Sequence, residues 1–170
     1  MTFLLDSFSF DLFVHAPPEE KVRRFDQLVQ KVERGEGIVE EVAGSFRGLL
    51  KKHGVKMHQH GSWTQRIALP DSDVDISCPE DGNLVATRRA LESKENRRFE
   101  VESAISEWRI LVRDRKTKVL LDVTQKAAHS TEPYWKAEHI RRSINWAVDD
   151  NVRMAILLLK PWVRKHEQTF

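Results

Sequence analysis

The sequence predicts an α+β domain, a mixed sheet flanked by N- and C-terminal helices. Three observations carry that reading. Apolar residues recur at helical spacing near both ends of the chain. Between those ends they alternate, or run in short β-branched stretches bounded by turn residues. And 170 residues, 40% of them hydrophobic with five Trp and eight Phe, supply one core for one domain. The expected division is an N-terminal helical segment over 1–54, a sheet over 55–125 and C-terminal helices over 126–170.

Each element follows in order. Pro17 and Pro18 introduce a first helix over 19–37, where Val22, Phe25, Leu28, Val29 and Val32 share one face. Acidic residues at its start and Gly35 at its end are the usual start and stop signals. A second helix is expected over 38–52, stopped by Gly54. Next, Val55, Met57 and Gln59 alternate with Lys56, His58 and His60, which reads as a strand. After Gly61-Ser62 a turn or short helix leads through Pro70 to a strand over 73–77. Residues 83–94 look helical, 98–113 hold two β-rich runs, and 118–124 (KVLLDVT) a third. From 131 the pattern returns to helix and ends with DDNVRMAILLLKPWVRKHEQ.

Composition bounds the function. A net charge of +2 neither demands nor excludes a nucleic-acid partner. Cys78 is the single cysteine, so no intrachain disulfide forms. The most apolar run, 155–159, is too short to span a bilayer. The first residues carry Asp6 and Asp11 and no Lys or Arg before Lys21, unlike a signal or transit peptide. Cytoplasm or nucleus is the expected location.

The chemistry lies in HGSWTQRIALPDSDVDI, residues 60–76. On a strand, Asp73 and Asp75 project from one face while Val74 and Ile76 point to the other. Two half-buried carboxylates repel each other and lose hydration, unless a cation or a shared proton neutralises them. PDSD is also good turn chemistry, so a solvated turn is the plainer reading. The same pattern recurs at VLLDVTQ, where Asp122 lies in a β-favouring run. If the two strands pair, three aspartates offer the oxygen ligands that Mg²⁺ or Mn²⁺ prefers.

Gly61-Ser62, Asp73-Val74-Asp75 and Asp122 together resemble the signature of the DNA polymerase beta-like nucleotidyltransferases. LPDSDVDI and the C-terminal LLLKPWVRK are similar to the terminal RNA nucleotidyltransferases, the poly(A) and poly(U) polymerases that work without a template. The resemblance covers residues 15–166 and implies a palm-like mixed sheet. It implies that Asp73 and Asp75 hold two metal ions and that Asp122 holds the one activating an RNA 3′-hydroxyl. Gly61 and Ser62 would meet the triphosphate of a nucleoside triphosphate. Lys160 and Arg164, four apart on one helix face, would contact its β- and γ-phosphates. The resemblance thus points to addition of AMP or UMP to an RNA 3′ end. Alternatives are a minimal nucleotidyltransferase with a protein or tRNA acceptor, and a catalytically silent binding or assembly module.

The family normally continues past the Lys-x-Trp helix into a further helical bundle, whereas this sequence ends at Phe170. A fragment, a protein partner, a dimer or lost activity are the expected explanations.

Other motifs weigh little. Pro161 removes a backbone hydrogen bond beside Lys160. His53, His58 and His60 lack the spacing and thiols of a zinc site. No phosphate-binding glycine loop of the G-x-x-x-x-G-K-[ST] or G-x-G-x-x-G kind is present, nor a G-x-S-x-G elbow. Arg88, Arg89, Arg97, Arg98, Arg113, Arg115, Lys116 and Lys118 form the densest basic stretch. It reads as solvent-facing helix and hairpin, or as an RNA track if it clusters in space.

Overall fold

The computed structural model describes residues 9–78, 83–125, 139–140, 142–143 and 151–166. A one-turn helix α1 (Phe10–Val14) precedes a long α2 (Pro18–Lys52). Then come β1 (His58–His60), a four-residue α3 (Gly61–Thr64), β2 (Val74–Cys78) and α4 (Asn83–Glu92). A hairpin of β3 (Phe99–Ser106) and β4 (Arg109–Asp114) leads to β5 (Leu120–Gln125). Helix α5 (Asn151–His166) follows. The predicted α+β architecture is the observed one.

Two expected helices are one. Gly35 does not end the first because nothing else changes there: the buried stripe runs on through Leu28, Val32, Gly35, Val39, Val42, Phe46 and Leu50. At Gly35 the missing side chain is used for packing, since a Cβ would meet the Trp63 ring at 2.7 Å. The true stop is Gly54, at φ +72°. There Val55 N–H reaches Leu50 O at 3.0 Å and Gly54 N–H reaches Lys51 O at 3.1 Å, a paired closure of the last turn. Pro18 at the start, Glu19 and Glu20 in the first turn, and Lys51 and Lys52 in the last suit the helix dipole.

The five strands lie in the order β1-β2-β5-β4-β3. β2 and β5 are parallel; the other pairings are antiparallel. The ladder of β1 is shorter than its alternating sequence suggested: Val55 and Met57 are buried but precede the paired residues. Asp73 likewise sits just before β2, not within it.

One face of the sheet is the core. Val74, Ile76, Ile110, Val112, Leu121 and Val123 are fully buried with Val42, Phe46 and Leu50 of α2 and Leu84 and Ala90 of α4. Phe46 meets Phe99 edge-on, ring centroids 5.1 Å apart. Truncating such a buried aromatic costs about 3–5 kcal/mol. A smaller apolar cluster joins Leu157 of α5 to Leu28 and Val32 of α2 and to Leu69. It seats α5 beside the segment between α3 and β2. Most of the expected helical region over 131–150 lies outside the described residues.

Asp114 ends β4 fully buried and is held from three sides. Arg98 contacts both its oxygens at 2.7 and 3.2 Å, and the Thr117 hydroxyl donates at 2.5 Å. Burial pushes this carboxyl's pKa up, but these hydrogen bonds outweigh it and hold the group below its usual range. Arg98 also reaches Glu41 at 3.1 Å, tying the hairpin to α2. Much of the basic stretch is thereby paired: Arg113 with Glu102, Arg115 with Glu100, and Lys116 with Glu41. These pairs favour the solvent-facing reading over an RNA track.

Candidate active site

Opposite the core, the other sheet face carries the polar groups, because the pleat sends alternate side chains away from the apolar layer. Parallel pairing sets Asp75 of β2 opposite Asp122 of β5, and antiparallel pairing sets His60 opposite Asp75. Residues directly opposite share a face. Asp73 enters β2 from the Leu69–Ser72 turn, where Ser72 accepts from Leu69 N–H at 3.1 Å through its hydroxyl. Trp63 fixes that turn by donating from its indole to Ser72 O at 3.0 Å. The turn and the strand readings of PDSDVDI are therefore both correct, one residue apart.

Asp75 is half-buried and its carboxyl is pushed up to about 6. Burial is the largest cause; the charges of Asp73 and Asp122 add to it, while Arg109 and Lys160 oppose it. The structure thus brings the three predicted aspartates into one electrostatic neighbourhood, with Lys160 in range.

Gly61 turns the chain from β1 into α3 at φ +74°. A Cβ there would stand 2.6 Å from Cγ of Asp75, so only glycine lets backbone and carboxylate approach this closely. Ser62 begins the turn behind it. Ser62 O accepts from Ile67 N–H at 3.0 Å, and Ile67 O accepts from Lys160 Nζ at 2.9 Å. Ile67 therefore links the two predicted phosphate contacts, Ser62 and Lys160, through its peptide groups. Arg164 lies one turn beyond Lys160 on α5; its side chain is outside the described residues. Pro161 sits inside α5 without ending it.

Two residues that the sequence did not single out complete the site. Arg109, first residue of β4, forks onto Asp122: Nε to Oδ1 at 2.8 Å and an NH2 nitrogen to Oδ2 at 2.6 Å. Arg153 of α5 is buried and donates to Arg66 O at 2.8 Å, with Glu36 at 3.3 Å. Arg66 itself holds φ +60°, a costly conformation for a side-chain-bearing residue. An Arg opening the strand that pairs with an aspartate strand was a legible signal for Arg109. Nothing local marked Arg153.

Among the described residues, no three His, Cys, Asp or Glu side chains converge as a ready metal cage. Asp122 has both oxygens on Arg109. The donor set nonetheless suits a hard divalent cation: all-oxygen, anionic and mutually repelling at Asp75, on the face away from the core. A zinc centre is not supported. His58 is exposed, and Cys78 is fully buried beside Thr87 with its thiol pushed up to about 11 by burial.

No family model matches the chain, and no curated protein is similar to it in sequence. Solved structures are similar in fold. A cytoplasmic RNA terminal U-transferase superposes with a TM-score of 0.64 at 16% identity, over 79% of this chain and 41% of that one. The Cid1 poly(U) polymerase gives 0.64 and 16%, over 77% and 41%. Cid1 in complex with the UTP analog UMPNPP gives 0.63 and 14%, over 79% and 40%. The chain spans about two fifths of the length of these structures. At such identities the likeness shows the fold alone, the five-stranded mixed sheet with its flanking helices. Among the described residues, no helix is long and apolar enough to cross a membrane.

Proposed function

We propose that the chain is the palm-bearing part of a metal-dependent, template-independent nucleotidyltransferase. It adds AMP or UMP from a nucleoside triphosphate to an RNA 3′ end and releases pyrophosphate. One observation carries the reading: Asp75 and Asp122 face each other on adjacent parallel strands, with Gly61 closed against Asp75. The similar folds support it, since Cid1 structures include complexes with MgGTP and with the short product ApU.

On this reading Asp73, Asp75 and Asp122 would hold Mg²⁺ or Mn²⁺, with Asp122 nearest the acceptor hydroxyl. Bound there, the metal would polarise the attacking and leaving oxygens of an in-line phosphoryl displacement. The chain's own residues do the rest. Gly61 leaves room for a phosphate beside the carboxylates, and the Ser62 hydroxyl donates to it. Lys160 exchanges the Ile67 carbonyl for a phosphate oxygen and balances charge on departing pyrophosphate. Arg164, one turn on, would add a second cation.

The test is incorporation of labelled nucleotide into an RNA primer with Mg²⁺ or Mn²⁺. Wild type is expected to label the primer and Asp75→Ala to lose labelling. Equal labelling by both would refute the assignment. Offering RNA, tRNA and protein together identifies the acceptor, and absence of metal-dependent nucleotide binding would favour a silent assembly module.

A further inference from the structure

We propose that Arg109 is a resident counter-cation of the carboxylate cluster, holding Asp122 while no metal is bound and competing with a divalent cation for it. The inference rests on the metal-dependent reading above and goes beyond it in assigning a role to a residue of β4.

The geometry is a two-pronged fork, one guanidinium nitrogen on each oxygen of Asp122. Such planar pairing is the strongest form of the Arg–carboxylate contact. The register explains it. Leu111 lies opposite Asp122 and Arg109 opposite Thr124, so Arg109 is on Asp122's face, one side-chain repeat along the strand. Its positive charge is also felt at Asp75 and Asp73. Among the described residues, Lys160 is the other cation that opposes the repulsion at Asp75. Without Arg109 the metal-free fold would carry more of that repulsion and be less stable.

The two partners differ in freedom. Asp122's side chain is 11% exposed on a central strand, whereas Arg109's is 43% exposed at the start of β4, beside the hairpin turn. The carboxylate is fixed and the guanidinium can move. A divalent ion at Asp122 would sit beside a positive charge, which weakens binding until the fork opens or shifts to the outer lone pairs. Arg109 thus trades metal affinity for a site that is preformed before metal arrives.

The probe is Mn²⁺ alone, followed by electron paramagnetic resonance of free ion and by thermal unfolding, on the full chain. Arg109→Gln is expected to bind Mn²⁺ about five- to tenfold more tightly than wild type while unfolding at a lower temperature in chelator. Arg109→Lys, which keeps the charge but cannot fork, is expected to fall between them and decides the matter if Arg109→Gln does not fold. In Asp122→Asn, the further change Arg109→Gln is expected to tighten Mn²⁺ binding by much less than it does in wild type, because only the longer-range charge at Asp75 and Asp73 is then removed. Equal or weaker Mn²⁺ binding by both Arg109 variants would overturn the role and leave the enzyme reading standing. If wild type binds no Mn²⁺ that Asp75→Asn removes, the metal-dependent reading itself fails.

Discussion

Gly61 and Asp75 are in such close approach that no side chain fits on Gly61 while Asp75 holds its place. A Cβ on Gly61 would overlap the carboxylate, and the glycine's φ of +74° already disfavours any side chain. Gly61→Ala is expected to cost more than the ~1 kcal/mol of the backbone conformation alone, because Asp75 must also move. It should abolish Mn²⁺ binding. Gly48→Ala is the control: it lies within α2 with open space at its Cβ, and should stabilise by about 0.5–1 kcal/mol. Chemical denaturation and metal titration of the two variants check the contrast.

Asp75 gives a pH dependence with a definite sign. Its carboxyl is raised to about 6 in the fold, so between about pH 4 and 6 the folded protein binds more protons than the unfolded chain. In chelator, Asp75's contribution to stability is therefore full below that window and is lost as pH rises through it. Asp75→Asn should remove that contribution and be more stable than wild type at pH 7 by ~1 kcal/mol, after discounting for solvent screening of a half-buried group. Unfolding free energies at pH 4 and 7 test this. A stability difference between wild type and Asp75→Asn that is the same at pH 4 and pH 7 would contradict it.

Arg153 and Lys160 grip consecutive carbonyls, Arg66 O and Ile67 O, from one face of α5, yet they should behave differently. Arg153 is buried and shared with Glu36. Arg153→Gln should lower stability by about 2–3 kcal/mol, since it takes the buried cation from the Arg66 carbonyl and leaves Glu36 with only its longer 3.7 Å contact to Arg66. Lys160→Ala should change stability by less than ~1 kcal/mol but weaken nucleotide binding at least tenfold. Urea denaturation and nucleotide titration separate the two effects.

Asp114 stands apart from the site and tests the fold alone. Asp114→Ala would take the fully buried acceptor from Thr117 and from two of the Arg98 nitrogens, leaving Arg98 only Glu41 and Ser45, with an expected loss of about 2–4 kcal/mol. Mn²⁺ affinity of the fraction that remains folded should be unchanged, which calorimetry at low temperature can measure.

Much of this molecule was legible in its residues. Alternation at 73–77 and the β-favouring run at 118–124 identified the aspartate strands, and Gly54 identified a true helix end. Gly35 misled because a glycine's meaning depends on its backbone conformation: at Gly54 it takes a positive φ, at Gly35 it makes room for Trp63. Local sequence does not contain that difference.

By itself the sequence determined the α+β class, the strands that carry Asp75 and Asp122, the Gly-Ser turn and the helix bearing Lys160. These follow from periodicity and backbone preference, which act within a few residues. Only the tertiary structure decided that β2 and β5 are neighbours in parallel register and that Arg109 forks onto Asp122. It alone brought Arg153, 87 residues from Arg66 along the chain, to that residue's carbonyl. Those relationships join distant segments, and are set by how the sheet and helices pack around the shared core.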